Sequence, residues 1–207
     1  MGNSLRKEEI QVIIEGRPAS GKSSALFHLK NDEVLLTPTP GCEGFFVESV
    51  SHAGATLTVW ELHCPHIKNK CLSRAQALCF VVDCKDDSTG LEQAKVELHE
   101  TMWKIASQES RRCFTVLVLA NKQDLDKAMS PLQLERALGI GDRSDSDTWR
   151  WRVQGCSATQ GLGLREGMDW LATASRQRNP FQRRDSCRWV ETDALPAAVS
   201  SSQAPIA

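Results

Sequence analysis

The stretch GRPASGKS (16–23) constrains the fold of this chain more than any other part of the sequence. It has the pattern G-x-x-x-x-G-K-S/T, follows the apolar run IQVIIE (10–15) and leads into a helical pattern that begins at residue 22. Glycine lets a backbone approach phosphates closely, and successive N–H groups at a helix N-terminus attract anions. The motif therefore predicts a phosphate-binding loop between a strand and a helix of an α/β domain.

Side chains in this loop suggest how a nucleotide would be held. The Lys22 ammonium would contact the outer phosphates, and the Ser23 hydroxyl would ligate Mg²⁺. A glycine-rich turn without a ligand is the alternative, and the position between strand and helix argues against it. The candidate nucleotide contacts here are Gly16, Ala19, Ser20, Gly21, Lys22, Ser23 and Ser24.

Strand-like and helix-like segments alternate along the rest of the chain. The predicted strands are 10–15, 45–50, 55–62, 78–83, 114–120 and 151–157. Apolar residues at helical spacing predict helices in 91–106 and around 164–171, and another helix follows Pro131, a favourable first helical residue. This alternation predicts an α/β domain with a six-stranded, mostly parallel sheet and helices on both faces, in which 45–50 and 55–62 form an antiparallel hairpin.

A second motif follows the run FTVLVLA (114–120), which leads directly into NKQDL (121–125). An Asn-Lys-x-Asp set at the carboxyl end of a strand is typical of the guanine-recognition loop of small GTPases. Because a carboxylate only accepts hydrogen bonds, Asp124 would bind two N–H donors of guanine that adenine does not offer. Asn121 would tie loops together, and the Lys122 stem would lie along the base.

The stretch CSAT (156–159) resembles the last nucleotide-contacting loop of the same proteins. There, the backbone of Ser157 and Ala158 would support the base. The alternative for NKQD is a solvated loop with a coincidental pattern, and the phosphate-loop motif upstream argues against it.

Longer stretches make the resemblance more specific, because the chain is similar to the Arf-like small GTPases over roughly residues 10–174. The stretches that carry this resemblance are GFFVESV (44–50), VVDC (81–84), ANKQDL (120–125) and GCSATQGLGLREGMDWL (155–171). The resemblance implies a P-loop small-GTPase fold that binds GTP or GDP with Mg²⁺. It also implies that partner proteins bind through two switch regions, 36–50 and 60–75.

The second switch departs from the family pattern, which is typically WDVGGQ where this chain has WELHCP (60–65). Glu61 replaces the aspartate that supports Mg²⁺ through water, and His63 and Cys64 replace the two glycines. Pro65 replaces the glutamine that orients the attacking water. Proline has no side-chain amide and no backbone N–H, so it does not position water. No catalytic residue is therefore assigned, and whether the chain is an enzyme is left open.

The first switch is altered as well. In PTPGCEGF (38–45), three more residues separate Thr39 from Gly44 than the family spacing P-T-x-G-F allows. Thr39 is the second candidate Mg²⁺ ligand beside Ser23.

A zinc site is a competing interpretation of the second switch. His63, Cys64, His66 and Cys71 lie within nine residues, but their spacing does not match the usual zinc patterns. Drift in a loop that is freed from catalysis is the simpler explanation.

Composition argues against several other classes of protein. The formal net charge of −1 creates no field that would favour nucleic acid, and the polar N-terminus is not a secretory signal. Eight cysteines without such a signal indicate reduced thiols, so a cytoplasmic location is expected. No apolar run approaches the ~20 residues of a membrane span.

The N-terminus MGNSLRK offers Gly2 as an acylation candidate, although position 6 is Arg6 where the usual pattern has Ser or Thr. The short polar segment before the first strand has no room for an amphipathic helix. One acyl chain alone gives marginal binding, so peripheral membrane attachment would need a second signal from the arginine-rich tail or from Cys187.

These observations divide the chain into an extension (1–9), a nucleotide-binding domain (10–175) and a basic, then Ala/Ser/Pro-rich tail (176–207) that we expect to be disordered. The leading hypothesis is a guanine-nucleotide-binding protein with little hydrolysis that recruits partners in membrane trafficking or signalling. The alternatives are a GTPase that cycles with an activating protein and a scaffold that binds no nucleotide.

Overall fold

The structure is a computed structural model that describes residues 8–29, 45–52, 54–62, 65–107, 114–140 and 149–177. Thr39, Gly2, His63, Cys64 and the tail beyond Gln177 therefore lie outside the described residues. No helix in the described segments is long and apolar enough to cross a membrane.

Six strands of the described chain form one sheet in the order β2-β3-β1-β4-β5-β6. They are β1 (Glu8–Glu15), β2 (Phe45–His52), β3 (Ala55–Leu62), β4 (Ala77–Asp83), β5 (Phe114–Asn121) and β6 (Trp149–Gly155). Neighbouring strands are parallel except for the β2–β3 hairpin. The predicted six-stranded, mostly parallel sheet is confirmed.

Five of the six strands differ from their predicted bounds by one or two residues, and β3 has its predicted bounds. β2 ends two residues later than predicted, at His52, whereas β4 begins one residue earlier, at Ala77, and β5 ends one residue later, at Asn121. β1 begins two residues before the apolar run, because Glu8 and Glu9 continue the parallel ladder opposite Ala55 and Thr56. β6 begins at Trp149 rather than at residue 151 and ends at Gly155. Backbone pairing with a neighbouring strand, which side-chain periodicity does not report, sets these bounds.

The described part of the chain contains five helices, four between strands and one after the last strand. They are α1 (Lys22–Leu29), α2 (Pro65–Arg74), α3 (Ser88–Ala106), α4 (Pro131–Leu138) and α5 (Leu164–Arg176). Helix α4 begins with a capping box between Ser130 and Gln133 around Pro131, and ends at Gly139 with a φ of 67°. Helix α2 is not among the predicted helices, because its polar sequence carries little apolar periodicity.

The sheet is covered on both faces, as its strand patterns require. Val12 and Ile14 of β1 pack into one core cluster with residues of α1 and α5, whereas Ile13 packs into the other with residues of α2, α3 and α4. All eight residues of β5 are buried, which explains its continuous apolar sequence. The parallel strands β1, β4, β5 and β6 end at the same edge, and their carboxyl-terminal loops form the candidate site.

Candidate functional site

The loop between β1 and α1 is wound so closely that its glycines are required. Gly16 and Gly21 have φ angles of 137° and 104°, a conformation that glycine adopts readily. A Cβ atom at Gly16 would collide with the carbonyl oxygen of Val81, and one at Gly21 with the side-chain amide of Asn121. The loop therefore packs directly against the ends of β4 and β5.

The Lys22 ammonium folds back over this loop. Its Nζ atom donates hydrogen bonds to the carbonyl oxygens of Gly16 at 2.9 Å and Arg17 at 3.0 Å. Arg17 in turn forms a 2.5 Å ion pair with Asp86, in the segment that follows β4. A positive charge is thus held against the loop backbone, where anionic phosphates would be stabilised.

Ser23 and Glu61 bring oxygen donors together at the start of α1. The Ser23 hydroxyl lies 3.3 and 3.5 Å from the two carboxylate oxygens of Glu61, which is 4 % exposed. Such a set of hydroxyl and carboxylate oxygens suits a hard cation such as Mg²⁺. Of the two predicted metal ligands, Ser23 is described and Thr39 is not, and Glu61 is an additional candidate.

The buried side chain of Asn121 joins two loops of the site. Its Nδ2 atom donates to the carbonyl oxygen of Ser20 at 2.7 Å. Its Oδ1 atom accepts from the backbone N–H of Ala158 at 2.8 Å. One amide at the end of β5 therefore sets the distance between the phosphate loop and the loop after β6.

Asp124 is exposed in the loop after β5, beside the loop that follows β6. Hydrogen bonding from the Ser157 side chain holds the pKa of Asp124 below its usual value, with further contributions from Thr159 and the positive charge of Lys122. Thr159 Oγ1 lies 3.4 Å from the carboxylate. The group is thus kept ionised as an acceptor of hydrogen bonds.

Lys122 has a left-handed backbone conformation with a φ of 66°. Its ammonium forms a 2.5 Å ion pair with Asp83, the last residue of β4. The sequence indicated a role for the Lys122 stem along a base but did not single out Asp83 as its partner, because the two residues meet only across the sheet edge.

The described residues contain no group of three or more His, Cys, Asp or Glu placed to hold a metal. Of the four residues in the zinc interpretation, His63 and Cys64 lie outside those residues, and so does the side chain of His66. Partial burial raises the pKa of the Cys71 thiol, an effect that Arg74 opposes.

The fold and these loops define a P-loop α/β protein of the small-GTPase class. The chain matches the ADP-ribosylation factor family over residues 2–175. It is 33 % identical over 174 residues to ADP-ribosylation factor K of Dictyostelium discoideum. The match covers 81 % of this chain and 86 % of that protein. The chain therefore belongs to the ADP-ribosylation factor family of GTP-binding proteins, and the predicted family is confirmed.

A solved structure shows the same fold. The Arl6 (BBS3) small GTPase of Trypanosoma brucei, determined with the bound nucleotide analogue GppNp, superposes with a TM-score of 0.65. The two chains are 21 % identical, and the match covers 83 % of this chain and 99 % of that one. The likeness confirms the predicted fold class.

Replacement of Asn121 with alanine tests how strongly its amide holds the loops. Asn121→Ala removes the buried hydrogen bonds with Ser20, Ala158 and the Cys156 thiol. Because the Ser20 carbonyl and the Ala158 N–H are left unpaired, we expect a loss of about 2–4 kcal/mol in the free energy of unfolding. Urea denaturation measures this loss. Gln93→Ala, at an exposed position of α3, is the matched control, and a loss no larger than that of the control would show that the amide does not hold the loops.

Proposed function

We propose that this chain binds GTP and GDP together with Mg²⁺, hydrolyses GTP very slowly, and recruits partner proteins through its switch surface. The observation that carries the proposal is the Asn121 amide, which holds the phosphate loop and the Ser157–Ala158 loop beside each other. In this proposal Lys22 binds the phosphates and Asp124 binds the base of one ligand that spans the two loops.

Guanine selectivity follows from the chemistry of Asp124. Hydrogen bonding holds its pKa low, so its carboxylate is an acceptor at neutral pH. Guanine presents adjacent N–H donors that a carboxylate accepts, whereas the same edge of adenine lacks them. The exposure of Asp124 leaves its oxygens accessible to an incoming base.

Slow hydrolysis is proposed from the start of α2. Pro65 is the first residue of this helix and stands where the family pattern places glutamine. A proline supplies neither an amide nor a backbone N–H to an attacking water. Nucleotide binding through the phosphate loop does not depend on this residue, so binding is expected to remain while hydrolysis falls.

Magnesium is proposed to be held by Ser23, with Glu61 beside it. When bound, the ion neutralises charge on the outer phosphates. Glu61 lies on β3, where it pairs with Ile14 of β1, and one of its carboxylate oxygens lies 3.3 Å from the Ser23 hydroxyl. This position supports Glu61 as the carboxylate of the proposed metal site, where the family pattern has an aspartate.

Substitution of Asp124 tests base selectivity. Asp124→Asn exchanges an acceptor for a donor, so affinity for GTP should fall by about 100-fold or more while affinity for xanthosine triphosphate rises. Titration with fluorescent nucleotides measures both. Asp126→Asn makes the same change at a nearby exposed position and should alter neither affinity. Equal affinity of the unmutated protein for ATP and GTP would defeat the assignment.

Substitution of Glu61 tests the metal site independently of turnover. Glu61→Gln keeps the size of the side chain but removes its charge, so the Mg²⁺ concentration needed to retain GDP should rise by about 10–100-fold. Dissociation of fluorescent GDP across a Mg²⁺ titration gives this concentration. Glu97→Gln, at an exposed position of α3, is the control. An unchanged requirement in Glu61→Gln would exclude Glu61 from the metal site.

Single-turnover hydrolysis separates the proposed function from its two alternatives. The rate with Mg²⁺ should lie well below the roughly 10⁻⁴ per second of an ordinary small GTPase, and Pro65→Gln alone should not restore it. A rate in the ordinary range, abolished by Lys22→Ala, would instead favour a cycling GTPase. Purified protein that retains no guanine nucleotide in Mg²⁺ would favour a scaffold.

A further inference from the structure

One ammonium group in the loop after β5 interacts with two carboxylates. Lys122 directly follows β5, and its Nζ atom donates to Asp83 Oδ2 at 2.5 Å. The same positive charge also acts on Asp124, whose pKa is held low first by a hydrogen bond from Ser157 and, with smaller effects, by Thr159 and Lys122. Two acids therefore compete for one cation, and the ion pair forms with Asp83.

Asp83 is held by the sheet and by a backbone contact. It is the last residue of β4 and lies opposite Asn121 in the ladder with β5. Its Oδ1 atom accepts the backbone N–H of Lys85 at 2.9 Å, which leaves Oδ2 for Lys122. The Lys85 ammonium does not take this place, because it donates to the carbonyl oxygen of Asp126 at 2.7 Å. One carboxylate thus accepts from a backbone N–H and from the Lys122 ammonium at the same time.

The backbone of Lys122 is fixed as well, so its side chain decides where the ammonium lies. Its φ of 66° is a left-handed conformation that residues other than glycine adopt rarely. The Leu125 N–H donates to the Lys122 carbonyl oxygen at 3.1 Å and closes a turn over 122–125. Lys122 and Asp124 lie on this one turn, so the ammonium stays close enough to Asp124 for their charges to interact.

The pair with Asp83 is better shielded from water than a pair with Asp124 would be. The side chains of Asp83 and Lys122 are 18 % and 32 % exposed, whereas Asp124 is exposed. Partly buried charges are screened less by water and salt, so the ammonium is drawn to Asp83. An ammonium paired with Asp124 would instead occupy acceptor positions that the N–H donors of guanine need.

We propose that Asp83 sets guanine recognition by binding the Lys122 ammonium, which keeps the Asp124 carboxylate free of a competing cation. The inference rests on the proposed binding of GTP and GDP, and it adds a residue to that site. Asp83 acts through Lys122 and not on the base itself, so it is a positioning residue. Lys122 then contributes its apolar stem to the base, while its charge is neutralised at the end of β4.

Nucleotide affinity in two lysine backgrounds tests the inference. Asp83→Asn keeps an acceptor for the Lys85 N–H and removes the charge, so the released Lys122 ammonium pairs with Asp124. Affinity for GTP should then fall about five-fold, the strength of one exposed ion pair that guanine must break. In the Lys122→Met background, which keeps the stem without the charge, Asp83→Asn should cause no further loss. Asp126→Asn, the matched control in the same loop, should leave affinity unchanged.

Titration with fluorescent GTP gives these affinities. An equal loss from Asp83→Asn in both backgrounds would show that Asp83 does not act through Lys122. A loss in Asp83→Asn no larger than that of Asp126→Asn would show that Asp83 does not set guanine recognition at all.

The position of the ammonium is read separately, without nucleotide, by carbon-13 NMR titration of the Asp124 carboxyl. An opposite charge that moves closer lowers the pKa of an acid, so the pKa of Asp124 should fall further in Asp83→Asn. The fall should be smaller in the Lys122→Met background, which reports the loss of the Asp83 charge alone. An equal fall in both backgrounds would overturn the transfer of the ammonium. If no guanine nucleotide binds, the proposed function fails, whereas this titration still decides whether Asp83 keeps Lys122 from Asp124.

Discussion

The Asn121 amide is the interaction on which the rest of the site depends. It lies at the end of a fully buried strand, where its donor and acceptor have no access to bulk water and must be satisfied by protein. It binds the Ser20 carbonyl on one side and the Ala158 N–H on the other. The buried end of β5 thereby holds both the phosphate loop and the loop that follows β6 in place.

The carboxylates around this edge of the sheet each have a defined cation or hydroxyl partner. Asp83 binds Lys122, Glu61 approaches Ser23, and Glu15 binds Lys68. Each acid ends or nearly ends a strand, so the parallel strands deliver all three to the same side of the domain. Negative charge is thereby placed close to the phosphate loop, and paired groups limit its repulsion toward a polyanionic ligand.

The proposed contrast between nucleotide binding and slow hydrolysis rests on two different parts of the structure. The phosphate loop is held by strands β1, β4 and β5 through contacts that the close approach of Gly16 and Gly21 makes possible. Helix α2, by comparison, begins at Pro65. The residues before it, WELHC (60–64), differ from the family pattern. The proposed function therefore combines a closely packed phosphate loop with an altered second switch.

The sequence by itself determined the fold and the local parts of the site. The apolar run of β5, the helical period of α5 and the motifs at 16–23 and 121–125 depend on residues near one another in the chain, so a local pattern suffices to predict them. Only the tertiary structure decided which distant charges meet. Glu15 and Lys68 are 53 residues apart, and Ser23 and Glu61 are 38 apart. Their contacts arise from strand order and helix placement, which leave no periodic signal in the sequence because each involves a single pair of side chains.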